Sequence, residues 1–258
     1  MRSIAAARLP RPLRPASVAL PDGDVHVWRA SLKAAAPRVA TLRRVLSPDE
    51  LERAESFHFP RDREGFVVAR GLLREILSLY LPGLEPDRLR FSYDRYGKPA
   101  LKNEVGTRGF HFNLSHSGGV ALYAVSWGRR VGVDVEEVRD VRDYELIAER
   151  HFAPEEISAL RTLHPAARRE SFFHCWARKE AYVKAVGQGL SLPLERFAVS
   201  LPPEQPERLL HTNYDPAEAD RWSLKAINAA PGYVGAVVVE GHGWRLSCRQ
   251  WPEYEVTA

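Results

Sequence analysis

The stretch LSPDELERA, residues 46–54, governs the interpretation of the whole chain, because its pattern occurs a second time. The second copy is FAPEEISAL, residues 152–160, where an apolar residue, a small residue, a proline and two acids follow in the same order. In the first copy Ser47 is predicted as a helix N-cap, with Pro48 at the first helical position and Glu50 closing a capping box. Each copy therefore predicts the start of a helix.

A second pair of similar stretches follows in the same order. REGFVVARG, residues 63–71, resembles KEAYVKAVG, residues 179–187. An insertion of about ten residues reconciles the spacings of the two pairs. Together they predict that the chain is a duplication.

Periodicity along the chain extends this prediction to the fold class. Helical patterns cover 48–56, 62–81, 142–150, 154–163 and 166–187, and strand patterns cover 24–30, 88–93, 110–114, 119–126, 131–138, 195–200, 220–228, 232–240 and 243–250. Helices that alternate with groups of strands are typical of an α+β protein. We expect two similar α+β halves, 21–127 and 128–258, which meet at the short turn WGRR (127–130) and share a cleft.

Composition sets outer limits on the function. The 258 residues are 45% hydrophobic and 27% charged, and the net charge is +4. No apolar run is long enough for a membrane helix, and two cysteines without a disulfide framework favour a reducing, cytoplasmic location. Residues 1–20, with four arginines and three prolines, are predicted to be a flexible basic extension.

Two acids lie on one face of the strand VGVDVEEV, residues 131–138. Asp134 and Glu136 are two residues apart, so they share a face, and the valines take the other. The acids could simply line a solvated face. They could also form a site for Mg²⁺ or Mn²⁺, because paired carboxylates without histidine or cysteine suit a hard cation.

The helical stretch FFHCWARKEAYVKAVGQGL, residues 172–190, carries two charges on its apolar side. Glu180 and Lys184 continue the stripe of Phe173 and Trp176. An i,i+4 surface ion pair is one interpretation. The other is a third metal carboxylate beside a lysine that reaches a phosphate.

Polar side chains gather where the strand in FHFNLSHSGG, residues 110–119, ends. Asn113, Ser115 and His116 lie beside two glycines, a composition that suits phosphate contacts but also occurs in ordinary loops. Upstream, the turn in YDRYGKPAL, residues 93–101, presents Lys98. Neither a phosphate-binding loop of the Walker type nor a dinucleotide fingerprint is present.

These motifs, taken in order, resemble a known family. YGKP (96–99), FNLSHS (112–117), GVDVE (132–136) and WARKEAYVKAVGQGLSLPLERFAVSL (176–201) are similar to the motifs of 4′-phosphopantetheinyl transferases of the surfactin-synthetase-activating (Sfp) type. The resemblance runs from about Leu46 to Leu201. It implies a monomer of two pseudo-twofold-related α+β halves that hold coenzyme A between them.

The resemblance also implies an activity and a set of partners. The expected reaction moves the phosphopantetheine arm of coenzyme A to a serine of an apo acyl or peptidyl carrier protein, releases 3′,5′-ADP and requires Mg²⁺. Neither nucleic acid nor a membrane is an expected partner. Two other functions stay open on the residues alone: a metal-dependent phosphohydrolase or nuclease, and a non-enzymatic basic binding module.

Roles carry over from the family by position. Asp134, Glu136 and Glu180 match the metal carboxylates, and Glu180 and Lys184 match the residues nearest the chemistry. Lys98, Asn113, Ser115, His116 and Lys184 match the region that contacts coenzyme A. Arg53 matches a basic position that contacts the 3′-phosphate in some members, although Glu50 stands where others carry a lysine.

Overall fold

The computed structural model of the protein describes residues 17–102, 107–201 and 206–252. The basic extension predicted at 1–20 therefore lies mostly outside the described residues. The helices are α1 (Ala36–Arg43), α2 (Pro48–Glu55), α3 (Pro60–Tyr80), α4 (Tyr144–His151), α5 (Pro154–Thr162), α6 (Pro165–Val186) and α7 (Glu218–Arg221). The strands are β1 (Asp24–Ser31), β2 (Phe91–Tyr93), β3 (Pro99–Leu101), β4 (Phe110–Ser117), β5 (Val120–Trp127), β6 (Val131–Glu137), β7 (Phe197–Val199), β8 (Leu209–Thr212), β9 (Trp222–Ala230), β10 (Tyr233–Glu240) and β11 (Arg245–Gln250).

Mixed helices and sheets confirm the predicted α+β class, and the order of elements repeats. In each half a strand is followed by three helices, a 3₁₀ segment, a short hairpin and a pair of long strands; the second half adds a second 3₁₀ turn and the short helix α7. The first sheet contains β1-β5-β4 and the second contains β6-β10-β9, in equivalent order and with antiparallel pairing throughout these strands. The short hairpins β2–β3 and β7–β8 are equivalent as well.

Two buried ion pairs fix the register of the repeat. Glu50 on α2 accepts a hydrogen bond of 2.6 Å from Arg74 on α3, and Glu156 on α5 lies 2.7 Å from the ammonium of Lys179 on α6. Each cation also donates to carbonyls of the loop before the next hairpin: Arg74 to Pro86 and Leu89, and Lys179 to Leu194 and Phe197. Arg74 and Lys179 are therefore equivalent residues.

This equivalence corrects one sequence match. REGFVVARG was expected to align with KEAYVKAVG, which would pair Glu64 with Glu180. The two long helices instead begin at equivalent prolines, Pro60 and Pro165, and no ten-residue insertion separates the copies. Glu75 consequently occupies the position of Glu180. The short motif match misled because helices repeat similar residues at several registers.

The halves are joined by a core that both sheets supply. Val25 and Val27 on β1, Leu122 on β5 and Val133 and Val135 on β6 pack together with apolar residues of β9 and β10. Each half also has a separate core against its own helices. The two halves are therefore packed directly against each other.

One strand departs from the predicted division at 127/128. Strand β11 pairs in parallel with β1 at the edge of the first sheet, although it follows both repeats in the chain. Trp251, just after it, packs into the first core. The division into 21–127 and 128–258 stays a prediction about the repeat, and β11 lies outside that repeat.

The predicted helices agree with the structure to within two residues at every end. Glu50 accepts a hydrogen bond of 3.0 Å from the Ser47 backbone, as a capping box requires, and Pro48 occupies the first turn. Helix α1 was missed because its only buried residue is Leu42, so it shows no apolar stripe. No described helix combines the length and hydropathy needed to cross a bilayer.

Gly132 allows β6 to lie directly against α6. A Cβ at this position would overlap the Ala181 carbonyl oxygen and the Ala185 backbone nitrogen. Because side chains alternate along a strand, Asp134 and Glu136 share this helix-facing side with Gly132. The absent side chain therefore positions α6 over the two acids.

Candidate active site

A cavity of about 580 Å³ lies between the two halves. It is lined by five of the residues predicted from sequence: Lys98, Asn113, His116, Glu180 and Lys184. The first three come from the N-terminal half and the last two from α6. The structure thus assembles residues that are far apart in sequence.

Asp134 lies behind the cavity wall, in contact with the cavity-lining Lys184. It is only 3% exposed, so the predicted alternative of a solvated acid face does not hold for this residue. Its Oδ1 atom accepts hydrogen bonds from Ser115 Oγ at 2.7 Å and from Lys184 Nζ at 2.6 Å. Its Oδ2 atom is buried and has no hydrogen-bond partner among the described residues.

Glu136 and Glu180 lie near Asp134. Burial and the Asp134 charge both raise the pKa of the Glu136 carboxyl, although Ser117 donates a 3.0 Å hydrogen bond to it. Burial also raises the pKa of Glu180, with the Asp134 charge adding to the effect and Lys184 opposing it. These three acids therefore share one electrostatic environment.

The donor set suits a hard divalent cation. Carboxylate oxygens are the ligands that Mg²⁺ and Mn²⁺ prefer, and the unpartnered Oδ2 of Asp134 is a buried oxygen with free lone pairs. Within residues 17–102, 107–201 and 206–252, however, no group of three or more acids, histidines or cysteines is arranged to hold a metal ion. The predicted set of Asp134, Glu136 and Glu180 stays a proposal.

Lys184 is paired with Asp134 in this structure, and its predicted contact with a phosphate stays a proposal. The Lys184 ammonium lies 2.6 Å from Asp134 Oδ1 and also donates a hydrogen bond of 2.9 Å to Ser115 Oγ. Its side chain keeps 28% of its exposure and lines the cavity. The lysine is therefore held at the cavity wall with solvent on one side.

Lys98 lies in a turn that the Asp94 side chain stabilises by hydrogen bonds. Asp94 Oδ1 accepts the backbone N–H of Tyr96 at 2.8 Å and that of Lys98 at 2.9 Å, and Gly97 supplies a positive φ of 81°. The Lys98 ammonium donates to the Lys184 carbonyl in the last turn of α6. Burial, with a smaller contribution from Arg130, lowers the pKa of Lys98 to about 8.

His116 lies where two cavities meet. It also lines a neighbouring cavity of about 710 Å³ that includes Lys33 and Arg61. Desolvation in the cleft lowers the pKa of its imidazole, and Lys184 adds to this effect. At neutral pH the ring is therefore largely uncharged.

Asn113 and Arg53, which were predicted to contact coenzyme A, interact with other protein groups in this structure. Asn113 is buried, and its Oδ1 accepts the backbone N–H of Val133 at 2.9 Å, so it links β4 to β6. Arg53 is exposed on α2, with its guanidinium 5.6 Å from the ring centre of Phe57. Among the described residues that line the two cavities, Arg53 is absent.

Sequence reasoning missed a contact across the cavity mouth. Tyr96 and Ser191, from opposite halves, share a hydrogen bond of 2.5 Å between their hydroxyls. The ring of Tyr96 lies so close to Gly189 that a Cβ there would be 2.8 Å from the tyrosine Cβ. Both residues fall within motifs quoted for their neighbours, YGKP and VGQGLSLPL, but nothing in either motif signals their pairing.

Arg130 was also missed. It donates to the Val186 carbonyl at the end of α6, near Lys98, and its guanidinium stacks 5.3 Å from the Trp222 ring. Two cations at a helix C-terminus complement its dipole. The cavity therefore combines fixed cations, a cluster of acids and hydroxyl donors, a composition that suits transfer of a phosphoryl group.

The chain matches two family models on either side of the turn at Gly128. Residues 28–127 match the model described as 4′-phosphopantetheinyl transferase, N-terminal, and residues 130–238 match the 4′-phosphopantetheinyl transferase superfamily.

Similar proteins cover most of the chain. The 4′-phosphopantetheinyl transferase HetI of Nostoc sp. is 39% identical over 90% of this chain and 94% of its own length. A putative 4′-phosphopantetheinyl transferase of Synechocystis sp. is 32% identical over 74% of this chain and 75% of its own length. The 4′-phosphopantetheinyl transferase Sfp of Bacillus subtilis is 31% identical over 74% of this chain and 81% of its own length.

Proposed function

This chain belongs to the 4′-phosphopantetheinyl transferase superfamily, and from that premise we propose which of its residues carry out the reaction. The protein is an enzyme that transfers the 4′-phosphopantetheine arm of coenzyme A to carrier proteins. The acceptor in the proposed reaction is a serine of an apo acyl or peptidyl carrier. The second product is 3′,5′-ADP.

The proposed step exchanges one P–O bond for another. The serine oxygen forms a bond to the phosphorus that carries the pantetheine, and the bond from that phosphorus to the bridging oxygen of 3′,5′-ADP breaks. The bonding electrons leave with 3′,5′-ADP, and the serine proton is transferred to the enzyme. Such reactions depend mainly on positioning and charge neutralisation.

Glu180 is the proposed acceptor of the serine proton. It lines the cavity, and burial raises the pKa of its carboxyl toward the working range of a general base. Its equivalent in the first repeat, Glu75, is buried in an ion pair with Arg38 and lies away from the cavity. The duplication therefore leaves one copy of this acid available for chemistry.

Asp134, Glu136 and Glu180 would hold a divalent cation, Mg²⁺ or Mn²⁺. When bound, the cation would neutralise charge on the pyrophosphate. The unpartnered Oδ2 of Asp134 supports this assignment. The raised pKa values of Glu136 and Glu180 also fit acids gathered to share a positive charge.

The remaining predicted residues would bind coenzyme A. Lys98, Lys184 and His116 line the same cavity and can donate to phosphate oxygens. Ser115 would help to orient Lys184, to which it is hydrogen-bonded. Asn113 contributes by fixing β4 against β6, and Arg53 would act from outside the cavity on a distal phosphate.

One observation carries the proposal: Ser115 from one half and Lys184 from the other both donate hydrogen bonds to Asp134 Oδ1. This contact unites three separate motifs directly behind the cavity wall that Lys184 lines. A monomeric, cytoplasmic enzyme is part of the same proposal.

Glu180→Ala tests the assignment. We expect the variant to fold but to lose transfer from coenzyme A to an apo carrier, measured as the mass gain of one phosphopantetheinyl group on the carrier. Glu170→Ala is the matched control, because Glu170 lies on the same helix and is exposed. Unchanged turnover in folded Glu180→Ala would overturn the role of Glu180.

A further inference from the structure

Lys184 occupies one oxygen of the acid that the proposed cation needs. Its ammonium is 2.6 Å from Asp134 Oδ1, and Ser115 donates to the same oxygen. We propose that Lys184 and the divalent cation compete for Asp134, and that coenzyme A promotes cation binding by drawing Lys184 away. This inference rests on the proposed function.

The arrangement around Asp134 leaves room for either positive charge, but not for both at low energy. Oδ1 already accepts two hydrogen bonds, and only the buried Oδ2 is without a partner. A cation on Oδ2 would lie within a few ångströms of the ammonium. At that distance in a half-buried site, two positive charges repel each other more strongly than they would in water.

Lys184 is able to leave. Its side chain is 28% exposed, whereas that of Asp134 is 4% exposed, so the lysine is the mobile partner of the pair. It lies in the last turn of α6 and lines the cavity together with His116 and Lys98. A pyrophosphate in this cavity offers the ammonium new charged acceptors.

The buried pair also explains how the protein remains stable without a cation. A buried carboxylate with no counter-charge is strongly destabilising, and Lys184 provides that charge. When coenzyme A attracts Lys184, the uncompensated Asp134 becomes a better cation ligand. Because binding linkage is reciprocal, the cation must then raise the affinity for coenzyme A by the same factor.

The test measures cation binding directly, without a carrier protein and hence without turnover. Mn²⁺ is titrated into wild type and Lys184→Met, with free Mn²⁺ followed by electron paramagnetic resonance. Removal of a charge-assisted contact should raise Mn²⁺ affinity about tenfold or more in the absence of coenzyme A. Coenzyme A should tighten Mn²⁺ binding by a larger factor in wild type than in Lys184→Met, because in the variant there is no ammonium left to displace.

Two further variants separate the local competition from a general change of charge. Lys98→Met removes a positive charge from the same cavity but not from Asp134, and it should raise Mn²⁺ affinity much less. Lys184→Arg keeps the charge and should behave like wild type. If Lys98→Met matches Lys184→Met, the effect is non-specific and the competition is overturned.

A folding measurement keeps the proposal testable if Lys184→Met is unstable. The uncompensated Asp134 should lower the melting temperature of this variant, and Mn²⁺ should restore it by more than it stabilises wild type. Equal Mn²⁺ binding and equal melting shifts in both proteins would overturn the competition. Failure of Mn²⁺ to bind to any variant, with Asp134→Asn as reference, would instead overturn the cation site of the proposed function.

Discussion

Gly132 shows how one residue can determine an active site without taking part in its chemistry. Its hydrogen side chain lets α6 lie on β6, and this contact places Lys184 on Asp134. The glycine stands at the start of the motif GVDVE, in which the acids attract attention first. Its role is visible only once the helix above it is known.

Gly132→Ala should therefore destabilise the protein by about 3 kcal/mol or more, because the added methyl group overlaps the helix backbone, which cannot yield as a side chain could. Urea denaturation measures the change. Gly65→Ala is the matched control: Gly65 lies in α3 with no atom within 4 Å of its would-be Cβ. The control should stabilise the protein by about 1 kcal/mol. Equal effects at the two glycines would contradict this explanation.

The site residues were largely predictable, but their contacts were not. Lys98, His116, Glu180 and Lys184 were identified from local motifs and do line one cavity. Sequence spacing did not indicate that Lys184 would form an ion pair with Asp134. That pairing depends on the distance between a helix and a strand, which is a property of the packed molecule.

At the scale of elements, the helices were predicted well because proline, serine and acidic residues mark their starts. The hairpins β2–β3 and β7–β8 were predicted poorly, since three- and four-residue strands are too short for a periodic pattern. The register of the repeat was also wrong in its second segment. It was settled by the buried pairs Arg74–Glu50 and Lys179–Glu156, which link elements rather than neighbours in sequence.

The turn before β3 is joined to the loop after α6 by the hydrogen bond between Tyr96 and Ser191. Since Lys98 is in the same turn, this bond holds it over the cavity. Tyr96→Phe and Ser191→Ala should each raise KM for coenzyme A by roughly twofold to tenfold, as expected for one neutral hydrogen bond. The kcat value should change little.

The double variant distinguishes a specific bond from two independent effects. Tyr96→Phe combined with Ser191→Ala should be no worse than Ser191→Ala alone, because Ser191→Ala already removes this bond together with the bond from Ser191 to the Gln188 carbonyl. Tyr144→Phe is the control, since the Tyr144 hydroxyl contacts only the exposed Glu145 carboxylate on α4. Additive losses in the double variant would count against the bond.

At the scale of the whole molecule, the two repeats share a core, and the last described strand joins the first sheet. Strand β11 pairs with β1, and Trp251 packs edge-on against Trp28 with ring centres 5.5 Å apart. The C-terminal part of the chain thus belongs physically to the N-terminal half. Family membership and fold class followed from motif order, whereas this return of the chain left no motif of its own.

Trp251→Ala should destabilise the protein by about 3 to 5 kcal/mol, because a side chain that is 3% exposed is removed from the first core. The valine core shared by the two sheets should keep unfolding a single transition at a lower midpoint. Calorimetry measures both properties, and Trp251→Phe should recover much of the loss. Two separated transitions would show that the halves unfold independently.

The pairing of β1 with β11 determines when the first sheet can be completed during synthesis of the polypeptide. Asp24 is among the first described residues to emerge from the ribosome, and its partner Arg245 is among the last. The first half therefore leaves the exit tunnel with one edge of its sheet open, and that edge stays unpaired until β11 has been synthesised. A nascent chain with an exposed strand edge is a natural client for chaperones that shield such edges.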